Sequence, residues 1–396
     1  VASVVLKAGH VQPVWAGHPW VFAQAVERIE GGAQAGDEVE VKDGRGNFLG
    51  RGLYSPGSAI PVRLLTRERD HHIDAKLLAA RLEAAIARRR RLGLPSPETN
   101  AVRLVHAEGD ELPGLIVDQL GDVLSVQFAT IGMKRRETAI LDALERALRP
   151  RAIVDRTSER AAKSEGFSAG QGVVRGDSAL SHFDVSEGGL RFRIPLELGQ
   201  KTGFYVDQRE LRARVAQISS GQRVLDTYAF VGAFALGAAR AGASEVEAVD
   251  QSSLALTVAA DAARLNGLEG KVRFECEDSA QALDRAGKHG GFDIVICDPP
   301  KLAPTRAARA RALGLMRKLS AQAARATKPG GLLVLCSCSA AIGLPELTRV
   351  LSLGAADVGL RAIVAERFFQ GADHPVPAAF PEGLYLTSII AEVGKG

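Results

Sequence analysis

Between Val224 and Leu335 the sequence repeats one unit: a short apolar run, a polar residue closing it, then a stretch with helical spacing. The runs are Val224-Leu225-Asp226, Glu245 to Val249 closed by Asp250, Val272 to Cys276 followed by Glu277-Asp278, Phe292 to Cys297 closed by Asp298, and Leu332 to Leu335. Short apolar strands that alternate with helices fold as a parallel sheet covered on both faces. Crossovers in such a sheet are right-handed, and ligands gather at the carboxyl ends of its strands. From about Phe192 onward the expected fold class is therefore α/β, a Rossmann-like sheet, and the strand-end residues are the candidates for chemistry.

The loop after the first run, Thr227-Tyr228-Ala229-Phe230-Val231-Gly232-Ala233, holds a single glycine. A dinucleotide loop needs several glycines so that backbone amides can clasp a pyrophosphate. One glycine behind an acid suits S-adenosyl-L-methionine better, because that donor carries no phosphate. The candidate cofactor contacts are Asp226, Tyr228, Phe230 and Gly232 in this loop, Asp250 for a ribose diol, and Asp278 for an adenine amino group. Asp250 alone would serve NAD equally well. In Asp298-Pro299-Pro300 the prolines fix their own φ angles, so the Asp298 carboxylate becomes a stiff acceptor for a ring nitrogen or an exocyclic amine. Asp298 and Pro299 are counted with the cofactor contacts too.

The four cysteines form no C-x-x-C pair, and nothing resembles a secretory signal, so a reducing cytoplasm is expected. No apolar run reaches the roughly 18–20 residues of a membrane-spanning helix, so no membrane role is expected. Cys276 and Cys297 lie in apolar strands and are expected to be inert small hydrophobes. Cys336 and Cys338 are two residues apart and would share a face of a continuing strand, but Cys338 lies nearer the carboxyl end, between two serines.

With 396 residues, 46% of them hydrophobic, the chain has material for two or three domains. The division expected is 1–70, 71–185 and 186–396. The first part has the short alternation of a β-rich module, as in Glu38-Val39-Glu40-Val41-Lys42 before the turn Asp43-Gly44. The second is a central α+β domain, with a helix over 73–94 ended by Pro95, strands at Leu115–Val117 and Val123–Phe128, and a helix over Lys134–Leu148. The first of these helices ends in Arg88-Arg89-Arg90-Arg91. Four arginines there are ordinarily a solvated end favoured by the helix dipole, and phosphate contact is the functional alternative. A net charge of +4 makes such local patches matter more than the total.

Several motifs run in order along the chain: His18-Pro19-Trp20-Val21-Phe22, Arg51 to Pro56, Gln200-Lys201-Thr202-Gly203-Phe204-Tyr205-Val206-Asp207-Gln208-Arg209, Asp298-Pro299-Pro300-Lys301, Ser337-Cys338-Ser339, Ala372-Asp373-His374-Pro375 and Pro381 to Leu386. Together they resemble the RlmI-type family of 23S rRNA 5-methylcytidine methyltransferases, which joins an N-terminal PUA domain to a class I S-adenosylmethionine-dependent methyltransferase domain. The resemblance implies S-adenosyl-L-methionine as donor, RNA binding by the first domain, a cytidine of 23S rRNA or of a large-subunit assembly intermediate as substrate, and Cys338 as nucleophile, with Asp298 holding the base. Homodimerisation is left open. The rival readings are N-methylation of an rRNA guanine, which also suits an acid-Pro-Pro turn but needs no thiol, and a non-catalytic RNA-binding ribosome-assembly factor, which methyl transfer would exclude.

Overall fold

The computed structural model describes residues 2–198, 203–302 and 308–396. The chain forms two compact units: Val1–Phe183 with Gly199–Tyr205 and Ala372–Gly383, and Asp184–Leu198 with Val206–Gly371 and Leu384–Gly396. Gln200, Lys201 and Thr202 of the motif quoted above lie outside the described residues.

The first unit carries two sheets. Strands β1 (Ala2–Leu6), β2 (Trp20–Val21), β3 (Val26–Glu30), β4 (Glu38–Lys42), β5 (Phe48–Tyr54) and β6 (Val62–Thr66), with the short helix α1 (Val11–Trp15), form a six-stranded sheet ordered β2-β6-β5-β4-β1-β3. Alternation decides which side chains enter its core: Val39 and Val41 of β4 are buried while Glu38, Glu40 and Lys42 between them are only half-buried. The second sheet, ordered β11-β10-β9-β8-β7, comprises β7 (Ala101–His106), β8 (Leu115–Leu120), β9 (Val123–Phe128), β10 (Ala152–Arg156) and β11 (Gln171–Gly176). Around it run α2 (Ala75–Arg91), α3 (Ile131–Lys134), α4 (Glu137–Leu148) and α5 (Glu159–Glu165).

Helix α2 is shorter than the 73–94 expected from sequence. Asp74 caps its start by accepting from Leu77 N at 2.8 Å. At the other end Gly93, with φ +72°, turns the chain, and the amides of Gly93 and Leu94 return to the carbonyls of Arg90 and Arg89, well before Pro95. The arginine run also departs from the expected solvated end. Leu78, Leu82, Ala85, Ile86 and Arg89 share the buried face of α2, and Arg89 is 0% exposed. It donates to both oxygens of Asp110, at 2.5 and 2.7 Å, and to the carbonyls of Arg103 and Asp373, at 2.7 and 2.6 Å. Arg88 bonds Asp110 as well. Of the four, Arg90 and Arg91 are exposed. The motif Asp373-His374 joins the same network: Asp373 Oδ2 accepts from Arg103 N at 3.0 Å, and Oδ1 lies 2.9 Å from His374 Nδ1. Burial, then the Arg103 charge, pushes the neighbouring His106 well below the ordinary histidine range.

The second unit contains, from Asp184 on, a hairpin of β12 (His182–Glu187) with β13 (Leu190–Pro195), and a seven-stranded sheet. The sheet comprises β14 (Arg223–Thr227), β15 (Glu245–Asp250), β16 (Arg273–Cys276), β17 (Phe292–Cys297), β18 (Thr327–Ser337), β19 (Leu360–Phe369) and β20 (Thr387–Lys395), in the order β16-β15-β14-β17-β18-β20-β19. The first five neighbours pair in parallel, and β20 runs antiparallel between β18 and β19. Its helices are α6 (Arg209–Ile218), α7 (Ala233–Arg240), α8 (Ser253–Leu265), α9 (Ser279–Lys288), α10 (Arg309–Ala326) and α11 (Leu344–Ala356). Right-handed crossovers put α7 and α8 on one face and α9, α10 and α11 on the other, where the last three enclose Leu225, Val295, Leu333 and Leu335. Strand order reverses at β14 and β17, and the crevice of an open α/β sheet lies beyond the carboxyl ends of such a pair.

Candidate active site

Strand register aligns the site. Thr227 pairs with Val249 on one side and Cys297 on the other, and Cys297 pairs with Leu335. The next residues out, Tyr228, Asp250 and Asp298, therefore leave the sheet side by side, and Cys338 follows one position after β18 ends at Ser337.

The loop after β14 is held in a costly shape. Tyr228 (φ +61°) and Phe230 (φ +51°) adopt the left-handed conformation with Gly232 (φ +74°), which costs about 1–3 kcal/mol for each residue with a side chain. Hydrogen bonds hold it there: Tyr228 N donates to Ser279 Oγ (3.1 Å), Ala229 N to the Val249 carbonyl (3.0 Å), Phe230 N to Asp250 Oδ2 (2.8 Å) and Gly232 N to the Ala229 carbonyl (2.8 Å). A Cβ at position 232 would sit 3.2 Å from the Ala259 methyl, in addition to the strain of its φ. Asp226 lies beneath the loop at 1% exposure, and its Oδ2 accepts from Ala235 N at 3.1 Å. Burial pushes its carboxyl up to about 8; the Ala235 amide opposes this, and the Asp298 and Asp250 charges add to it. Asp226 is thus almost without exposed surface and supports the loop from beneath. The Tyr228 phenol is also raised, chiefly by burial.

Asp250 accepts from Ser252 N (2.8 Å) as well as from Phe230 N, so its carboxylate is oriented from both sides. Asp278 caps α9 through Gln281 N (3.0 Å), and its other oxygen accepts from Gln251 Nε2 (2.6 Å). Gln251, unremarked in the sequence, joins these two acids.

Asp298 and Pro299 follow β17, Asp298 half-buried and Pro299 buried. Gln208 Nε2 donates to Asp298 Oδ2 at 2.9 Å. Next to it, Asp207 Oδ2 accepts from Tyr385 Oη (2.6 Å), and the Asp207 carbonyl accepts from Gly371 N (2.9 Å). The dipeptide 207–208 therefore links the end of β17 to the segments flanking β20. Just after it, Arg212 of α6 forms a buried bidentate pair with Glu187, at 2.6 and 2.8 Å. No short-range pattern reveals the Gln208–Asp298 or Tyr385–Asp207 contacts, although Asp207, Gln208 and Tyr385 all stand in the quoted motifs.

The four thiols are distinct. Cys297 and Cys336 are fully buried. Burial, with the Asp298 charge second, pushes Cys297 up to about 12 and Cys336 well above the usual thiol range. Cys338 is half-buried. Cys276, expected to be an inert small hydrophobe of an apolar strand, is exposed because β16 is a four-residue strand at the edge of the sheet.

These residues fit S-adenosylmethionine. The loop amides of residues 228, 229, 230, 232 and 235 are all consumed internally, so the loop offers little to a pyrophosphate. The strand-end carboxylates offer acceptors to a diol or an amine. Sheet order, strand-end acids and loop together define a class I methyltransferase. A family model for S-adenosylmethionine-dependent methyltransferases matches residues 103–360, and one for PUA-like domains matches 4–67. "Ribosomal RNA large subunit methyltransferase I" of Erwinia tasmaniensis is 34% identical over 392 residues, covering 98% of this chain and 99% of that protein. Its namesake from Shewanella denitrificans is 35% identical over 393 residues, covering 98% and 99%. Among solved structures, SMU.776 complexed with SAH superposes with a TM-score of 0.86 at 17% identity, covering 98% of this chain and 99% of its own, a likeness of fold. The chain belongs to the S-adenosylmethionine-dependent methyltransferase family, in its RlmI-type group, with an N-terminal PUA-like domain. S-adenosylmethionine is its methyl donor. Among the described residues no cluster suits a metal ion, and no helix is long and apolar enough to cross a membrane.

Proposed function

We propose that this protein methylates carbon 5 of a cytidine in 23S rRNA, with Cys338 as nucleophile and Asp298 as the residue that holds the base. The observation that carries the reading is the half-buried Cys338 at the carboxyl end of β18, next to β17, which Asp298 follows, while Cys336 is sealed in the core. The relatives' names support rRNA as the substrate and, with it, the cytoplasm as the location, and the PUA-like domain supports RNA binding. The three-part division at residues 70 and 185 remains part of this proposal; the first two parts together make up most of the first compact unit.

Carbon 5 of cytosine is a poor nucleophile. Attack of the Cys338 thiolate on carbon 6 breaks the C5–C6 double bond and makes carbon 5 enamine-like, while Asp298 stabilises the adduct through the N3/N4 edge. When bound, S-adenosylmethionine would supply an electrophilic methyl group on a sulfonium and leave as S-adenosylhomocysteine; Asp250 would hold its ribose and Asp278 its adenine amine, with the loop around Tyr228, Phe230 and Gly232 and with Asp298 and Pro299 as its further contacts. After transfer a base removes the carbon 5 proton, the double bond re-forms and the thiolate leaves. The target nucleotide must be unstacked first, at a cost of a few kcal/mol. The test is nucleoside analysis of 23S rRNA, naked and in large-subunit intermediates, after incubation with the protein and labelled donor. Label in 5-methylcytidine is expected; label in an N-methylguanosine would refute the cytidine assignment.

A further inference from the structure

Gln208 carries a polar atom that the reaction as written does not use. The residue is 6% exposed, and its Oε1 is buried with no hydrogen-bond partner among the described residues. The amide is not free to turn: Nε2 must face the Asp298 carboxylate, 2.9 Å away, because the flipped amide would set oxygen against oxygen. Its main chain is anchored too. The Gln208 carbonyl accepts from Arg212 N at 2.9 Å, and the preceding residue is held by Tyr385 and Gly371. The protein leaves this firmly oriented acceptor unsatisfied beside Asp298, and an N–H or O–H brought by a ligand would satisfy it.

Resting on the cytidine reading above, we propose that Gln208 determines base specificity: its Oε1 accepts from the exocyclic amine of the target cytosine, beside the Asp298 carboxylate. The cytosine amine has two N–H groups for two acceptors. Uracil presents a carbonyl oxygen at the same position, which would face two acceptors and find no donor, and polar sites of this kind discriminate strongly. The donor's ammonium is the competing ligand. Although Asp298 is counted among the donor contacts too, it shares the β17 and β18 side of the sheet with Cys338, where the base has to reach the thiol, whereas Asp250 and Asp278 lie on the β15 and β16 side of β14.

The experiment uses an RNA in which the wild-type protein makes 5-methylcytidine, and the same RNA with the target replaced by 2-pyrimidinone riboside, which lacks the amine. Wild-type protein, Gln208→Met and Gln208→Asn are compared by kcat/KM on both RNAs and by calorimetric SAH affinity, which also certifies that each variant is folded. Gln208→Met should bind SAH within about twofold of wild type, lose about tenfold or more in kcat/KM on cytidine, and lose its preference for cytidine over pyrimidinone by the same factor; Gln208→Asn should fall between. An unchanged preference would overturn the proposal, as would a tenfold loss of SAH affinity, which would assign the acceptor to the donor's ammonium. If the wild-type protein makes no 5-methylcytidine in any RNA, the cytidine reading itself fails and the inference falls with it, an outcome visible before any variant is compared.

Discussion

Arg89→Met should destabilise the first unit far more than the loss of a helix-end arginine. The side chain is 0% exposed and is the bidentate partner of Asp110. Its removal also strips a donor from the carbonyls of Arg103 and Asp373. Breaking a buried ion pair costs about 3–5 kcal/mol, and each abandoned carbonyl adds about 1–3 kcal/mol. Two effects offset this: Asp110 keeps Arg88 and the His106 amide, and the methionine side chain still fills apolar space. A net loss of about 3–5 kcal/mol follows. Both tryptophans of the chain, Trp15 and Trp20, lie in this unit, so urea unfolding followed by their fluorescence reads it directly. With a urea m-value of about 2–3 kcal/mol/M the midpoint should fall by about 1–2 M. Arg89→Met combined with Asp110→Asn should recover part of the loss, since neither charge is then left alone. A loss below about 1 kcal/mol, the scale of an exposed pair, would refute the buried-network account.

Three further outcomes are expected. Asp250→Ala should weaken S-adenosylmethionine binding by about 1–3 kcal/mol in calorimetry, with NAD inert toward the wild-type protein. Replacing Arg90 and Arg91 by Ala should lower the salt slope of RNA binding by up to about 2 if both meet phosphates, and an unchanged slope would return them to the status of a solvated helix end. The Asp226 pKa, about 8 when folded, lies above its unfolded value; from about pH 4 upward the unfolded state therefore holds fewer protons, and stability falls with rising pH and levels off above pH 8. Asp226→Asn should remove that fall in urea midpoints taken at pH 5 and pH 8.

What the sequence made legible was local. An apolar run closed by an acid marks a strand end without knowledge of the partner strand, so Asp226, Asp250, Asp278 and Asp298 could be named, and right-handed crossovers then place their strand ends on one side of the sheet. The insertion of β20 between β18 and β19 rests on pairings between distant segments and had no such signal. The exposure of Cys276 has a related reason: its strand is apolar enough to read as core, but its position at the edge of the sheet exposes it. Arg89 is a different case. The spacing of Leu78, Leu82 and Ile86 already puts position 89 on the buried face of α2, so the periodicity held the answer and the chemistry of arginine concealed it. Gln208 stands in a motif of the sequence but shows no role there, because its contact is with Asp298, 90 residues away.

The central claim, that Cys338 attacks a cytidine, is tested most directly with RNA carrying 5-fluorocytidine at the target position, since fluorine at carbon 5 blocks the elimination that frees the enzyme. Incubated with donor and resolved on a denaturing gel, the wild-type protein and Cys336→Ala should each form a covalent protein–RNA adduct, while Cys338→Ala should form none yet bind S-adenosylmethionine normally. An adduct with Cys338→Ala, or full turnover of unmodified RNA by that variant, would contradict the account.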